Sequence, residues 1–216
     1  MKKLFFALFA ISLFVACEKD PDLDKVQDEY LVYTNYDKSA DFQSYKTFYV
    51  PDSILVINNA DKATYLTGTD AQKVINAYVS NMTNRGYSRT LTKADADLGI
   101  QVSYVENTNY FLDYAGDDWW LGYPYYWTPG YWFPDYYGDW YYPYPIVYSY
   151  STGSLLTDMI DLKSVKNSTD SKPTVVWNSF ISGLLYGNSL NTNKTVNAIN
   201  QAFKQSGYIK TTSSAK

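Results

Sequence analysis

Between Tyr110 and Tyr150 about half of the residues are Tyr, Trp or Phe. The prolines within that stretch constrain the whole chain. They stand at 124, 129, 134, 143 and 145, too close together for a long helix or a central strand of ordinary length, because each removes a backbone donor. Glycines at 116, 122, 130 and 138 add further breaks. Such a mix forms irregular hairpins with stacked rings, or a mobile loop. Regular structure must therefore come from the residues on either side.

Those flanks read as strands and two helices. Leu31 to Tyr36 and Tyr45 to Val50 are rich in β-branched and aromatic residues, with turn-forming Asp37 to Asp41 between them, which predicts two strands and a short connection. Val74, Ile75, Tyr78, Val79 and Met82 share one helical face. Asp70 is the expected N-cap of that helix, and Gly86 its left-handed stop. Leu98, Ile100, Val102 and Tyr104 alternate with Gly99, Gln101 and Ser103, the period of a strand with one buried face. Past the aromatic stretch, Ser154 to Leu162 reads as a strand whose apolar run Asp158 interrupts. Lys163 to Pro173 reads as a polar turn, Val175 to Tyr186 as a strand, and Asn188 to Asn193 as a loop. Val196, Ile199 and Phe203 mark a second amphipathic helix. Strands before and after two helices, without βαβ alternation, predict an α+β two-layer domain. Its sheet is expected to be mostly antiparallel with both helices on one face, and the Tyr/Trp/Pro-rich stretch 110–150 is an insertion in it.

Composition removes several classes of function. The chain has no histidine, so neither a Ser-His-Asp nor a Cys-His arrangement can be built, nor any metal site that uses histidine. Carboxylate-pair chemistry and oxygen-ligated calcium stay open. Without residues 1–16, which hold two lysines and no acid, 16 basic residues face 22 acidic ones, a net charge of −6. Arg85 and Arg89 are the only arginines. No clustered positive charge is available for nucleic acid, and no cofactor is implied.

The amino end carries the address. Lys2 and Lys3 precede an uncharged apolar run from Leu4 to Val15, Ala16 is a small residue at a cleavage position, and Cys17 is the only cysteine in 216 residues. This is the layout of a secretory signal, too short to span a membrane comfortably. Leu13-Phe14-Val15-Ala16-Cys17 resembles the bacterial lipoprotein signal, with Phe14 where leucine is usual. The resemblance implies a diacylglyceryl group on the Cys17 thiol and an acylated new amino terminus. The alternative is an ordinary signal peptide beside a chance cysteine. Glu18 to Glu29 is charged and has little to bury, as in a solvated tether. Its start, Lys19-Asp20 within Cys17-Glu18-Lys19-Asp20, is similar to the surface-export signal of Bacteroidetes-type lipoproteins, with a plain spacer as the alternative. The expected organisation is a signal peptide over 1–16, a lipidated acidic tether over 17–29 and one domain over 30–210. The expected location is the outer membrane, facing the periplasm or the exterior, held to the membrane by N-terminal acyl groups. Asp52-Ser53-Ile54 resembles a short O-glycosylation motif of exported Bacteroidetes-type proteins.

Several segments taken in order resemble an uncharacterised bacterial lipoprotein family, the domain of unknown function numbered forty-one thirty-six. They are Tyr36-Asp37-Lys38-Ser39-Ala40-Asp41-Phe42 with Tyr45-Lys46-Thr47-Phe48, Arg85-Gly86-Tyr87 with Ala96-Asp97-Leu98, Gly153 to Asp161 with Val176-Trp177-Asn178-Ser179, and the closing helix through Ala198 and Phe203. The resemblance spans about residues 30–208. Two departures are a longer, more polar turn between the last two strands and Asn178 where the family often has arginine. The family implies a lipid-anchored α+β envelope protein and supplies no catalytic residue.

Three readings of the aromatic stretch stay open. Its rings can cover the open face of the sheet. Alternatively Trp119, Trp120, Trp127, Trp132 and Trp140 form a platform that stacks against sugars or a partner's apolar surface. The third is a calcium site from Asp113, Asp117 and Asp118, or from Asp135 and Asp139, although the spacing lacks an EF-hand's donor order. The leading functional expectation is a non-catalytic, lipid-anchored protein that binds or scaffolds an envelope protein or a glycan. The alternative is a carbohydrate-binding or carbohydrate-active lipoprotein, in the second case using a carboxylate pair such as Asp158 and Asp161. A structural role for those acids, paired with Lys163 or the backbone, competes with it.

Overall fold

The computed structural model describes residues 30–58, 62–106, 132, 141–144, 152–167, 173–186 and 189–211. The signal and tether expected over 1–29, most of the aromatic stretch and the calcium candidates lie outside them. The fold is α+β, an open mixed sheet with its two longer helices on one face.

The centre of the sheet is three long strands, β6 (Leu98–Val105), β7 (Ser154–Asp161) and β8 (Val175–Ser182). Each pairs antiparallel with the next, and β1 (Leu31–Tyr36) closes one edge against β8. The other side of β6 is shared by two short strands. β2 (Thr47–Tyr49) sits beside Leu98 and Gly99, and β3 (Ile54–Ile57) beside Ser103 to Val105, both parallel to β6. Pro51, which has no N–H to give a ladder, falls in the gap between them. β4 (Thr64–Leu66) pairs antiparallel with β3, and β5 (Ser88–Arg89) parallel with β2. The sheet is thus mostly antiparallel by register, with three short parallel pairings. β1 and β2, consecutive in sequence, are not neighbours, because β8, β7 and β6 lie between them.

Helix α1 (Gly68–Asn84) buries Val74, Ile75, Tyr78 and Met82, the face that its period predicts. Helix α3 (Thr192–Gln205) buries Ala198, Ile199, Ala202 and Phe203. Both press on the side of the sheet that carries Leu98, Ile100, Val102, Leu155, Met159 and Trp177. Two polar contacts fix the register of this layer. The Tyr78 hydroxyl and Thr157 Oγ1 lie 2.6 Å apart, and the Trp177 indole N–H donates to Ser206 Oγ at 2.9 Å. Left unmade, either would strand a buried polar group at about 1–3 kcal/mol.

Several ends differ from the sequence expectation. Thr67, not Asp70, is the N-cap of α1. Asp70 stands in the first turn, where Lys73 donates to it and holds its carboxyl below the usual carboxylate value. Part of the expected polar turn after β7 is a short helix, α2 (Leu162–Asn167). The expected loop 188–193 contains β10 (Ser189–Leu190), which pairs with β9 (Leu185–Tyr186). It also contains Asn191, whose side chain caps α3 by accepting from the Lys194 N–H. Gly86 does stop α1 in the left-handed region, at φ +91°. A side chain there would also run into Thr211. Gly86→Ala is therefore expected to cost about 1–3 kcal/mol in urea unfolding. An unchanged midpoint would contradict this account of the turn.

Candidate functional site

The second face of the sheet, away from the long helices, is where the alternation of β6 leads. Residues opposite one another in antiparallel strands point to the same side. Gln101 stands opposite Asp158, Asp158 opposite Asn178, and Asn178 opposite Asn35. Four polar side chains thus form one row across β6, β7, β8 and β1. Alternation places this row on the open face of the sheet, and Gln101, Asp158 and Asn178 are buried there, Asp158 to 1% exposure.

Two described pieces of the aromatic stretch supply the cover. Trp132 lies against Gly99, where a Cβ would come within 2.5 Å of the ring, so glycine makes room for the indole. Its indole N–H donates to Gln101 Oε1 at 3.0 Å, and its ring meets Tyr49 edge-on at 5.8 Å. Ala96, Ile160 and Leu162 complete this small second core. At the other piece, the Tyr141 N–H donates to the Pro173 carbonyl, and Tyr141 accepts from the Val175 N–H. That brings the Tyr142 hydroxyl to Asp158 Oδ1 at 3.2 Å.

Trp132, one of the rings of the platform reading, is 4% exposed and committed to the sheet, as the sheet-covering reading of the stretch has it. The reason is geometric: a Gly99 notch and a buried Gln101 acceptor together fit one indole. Trp119, Trp120, Trp127 and Trp140 lie outside the described residues, as does the acylation candidate Cys17. Gln101 and Tyr142 were not singled out from the sequence. The one available signal was an acid at 158 inside an otherwise apolar strand.

Asp158 and Asp161 do not form a carboxylate pair. Their register partners place them on opposite faces of β7. Asp161 turns toward the helix layer, accepting from the Tyr45 hydroxyl at 3.0 Å and from the Ser164 N–H at 2.9 Å at the start of α2. Lys163 donates instead to the Ser44 carbonyl. The geometry of two carboxyls flanking one glycosidic bond is absent from these two residues. No group of three or more potential metal ligands occurs among the described residues. Asp52 of the glycosylation motif pairs with Arg89 at 2.6 Å, beside a half-buried Ser53.

Asp158 is the electrostatic anomaly of the face. Burial pushes its carboxyl up to about 7, and the Tyr142 hydrogen bond opposes this only in part. The ion pairs among the described residues, Lys73–Asp70 and Arg89–Asp52, lie elsewhere. Between an unfolded value of about 3.9 and the folded value, the folded chain keeps a proton that the unfolded chain has lost. Stability must then fall as pH rises through that window and level off above it. The shift corresponds to about 4 kcal/mol. About two-thirds of that falls between pH 5 and pH 8, so thermal unfolding of the parent should drop by about 5–10 °C over that range relative to Asp158→Asn, which has nothing to ionise there. A constant difference between the two proteins across that range would contradict a buried, protonated Asp158.

An open mixed sheet, layered by helices on one face and by aromatic side chains on the other, is the class that this geometry defines. The chain belongs to the family described as Domain of unknown function (DUF4136), whose model matches residues 32–208. It is similar to a crystal structure of a family member from Bacteroides thetaiotaomicron, with 45% identity and a TM-score of 0.73 over 84% of this chain and 97% of that one. Two PelC dodecamers from Paraburkholderia phytofirmans also match, over 86% of this chain and 100% of theirs, at 9% and 10% identity. Their TM-scores of 0.40 and 0.41 are too low to carry an argument. No curated protein matches the chain.

Proposed function

We propose that this protein is a lipid-anchored component of the bacterial outer envelope whose domain binds or scaffolds a partner and performs no catalysis. The observation that carries the reading is the order Leu13-Phe14-Val15-Ala16-Cys17 behind a basic, apolar leader. The family match begins only at residue 32, so the leader and Cys17 lie outside the matched region. One acyl chain holds a protein only marginally and two or three hold it stably, which the double modification at Cys17 would supply. A tether over residues 18–29 reaches at most about 40 Å when extended, so the domain works close to the bilayer. An acidic domain gains nothing from anionic headgroups, which leaves the acyl groups as the anchor.

The absence of histidine and the separation of Asp158 from Asp161 speak for binding over carboxylate-pair hydrolysis. Asp158 is sealed beneath Tyr142 and Asp161 holds a helix end.

The anchor is tested by expression in a Bacteroides host with labelled palmitate. The parent should take up label and stay with membranes through a high-salt wash. Cys17→Ser should lose the label and appear in the soluble fraction. An unlabelled parent, or a serine variant that stays on the membrane, would overturn the proposal.

A further inference from the structure

We propose that the groove between α1 and α3, on the outer surface of the helical layer, binds a short stretch of a neutral saccharide. The helices run in the same direction, since Asp70 faces Thr192 near their starts and Asn81 donates to Asn200 at 2.7 Å further along. Between those two contacts they leave a groove of about 630 Å³. Its apolar floor is Ala77 and Val196, the least exposed residues of its lining.

Its walls are unusual for exposed helix faces. Asn76, Ser80, Asn193, Asn197 and Asn200 line it, all exposed and none charged. Asparagine is among the poorer helix formers, and its amide competes with the backbone. A purely solvated face would gain stability from alanine, lysine or glutamate at each of these positions. Among the described residues the only ionic group of the lining is Lys73, which is already paired with Asp70. None of the described lining residues is a carboxylate, on a chain with more acids than bases.

The chemistry of the lining selects the ligand. The amides of Asn76, Asn193 and Asn197 carry donors and an acceptor together, and Asn200, whose oxygen accepts from Asn81, keeps its donors, which matches hydroxyl groups that both give and accept. The Ala77 and Val196 floor suits the C–H face of a sugar ring. An anionic ligand would want unpaired cations and a cationic one carboxylates, and the groove presents neither. By helix rise, the seven steps from Lys73 to Ser80 give a length of about 10 Å, so the site takes a short stretch of chain. This assignment is indifferent to whether Cys17 is acylated, and it uses a different surface from the aromatic stretch.

The test uses the full chain, labelled with 15N and held in detergent, titrated with maltohexaose, xylohexaose and mannohexaose. At least one sugar should shift the side-chain amide signals of Asn76, Asn193, Asn197 and Asn200 as a group. The double variant Asn76→Ala, Asn197→Ala should weaken that binding at least about ten-fold while its thermal midpoint holds or rises. The proposal fails if none of the three sugars moves these signals. It also fails if the variant binds as tightly as the parent, or if the variant loses stability, which would assign the asparagines to packing between the helices.

Discussion

Because β6, β7 and β8 are buried along nearly their whole length on both faces, this domain needs two covers. The helices provide one. The other must hide the face that carries Gly99, Gln101 and Asp158, which no long helix among the described residues reaches. Trp132 and Tyr142 do so by coupling apolar area to hydrogen bonds with the two polar groups beneath. A ring without a polar handle would leave Gln101 and Asp158 buried without those partners, at a cost comparable to what its apolar area gains. That explains why this face is met by tryptophan and tyrosine in the described residues.

The same constraint accounts for where charge is tolerated. Asp161 and Asp158 are three residues apart on one strand, and their fates diverge because a strand alternates its faces. One reaches the end of a helix, where a backbone N–H and a hydroxyl satisfy it. The other is enclosed, and burial keeps its carboxyl protonated up to about neutral pH. Arg85 shows the same economy at the far end of the helical layer. It donates to the Phe203 carbonyl at 2.8 Å and lies 4.9 Å over that ring, tying the ends of α1 and α3 together.

What the amino-acid sequence makes legible follows how local each cause is. The buried faces of α1 and α3 depend on a 3.6-residue period within one segment, and both are as expected. The left-handed stop at Gly86 is equally local. The start of α1 is not, since Thr67 and Asp70 compete for the cap and nothing nearby decides between them. The hairpin of β3 and β4 was not singled out, because each strand is short and its pairing with β6 involves residues nearly fifty positions away. The polar row was legible only in part, for the same reason. Alternation at Gly99, Gln101 and Ser103 states that two faces differ, but not which ring about thirty residues later buries the polar one. The sheet-covering and platform readings of Trp132 were both open for that reason, and its burial fits the first.

If the second face of the sheet is an interior, the Trp132 indole N–H is sealed from water. Its hydrogen exchange, read by NMR beside that of Trp177, reports this. Trp177 is fully buried against the helical layer and serves as the internal standard for a sealed indole. Trp132 should exchange as slowly as Trp177, within about a factor of ten. Exchange at the rate of a solvent-exposed indole would mean that this face is open.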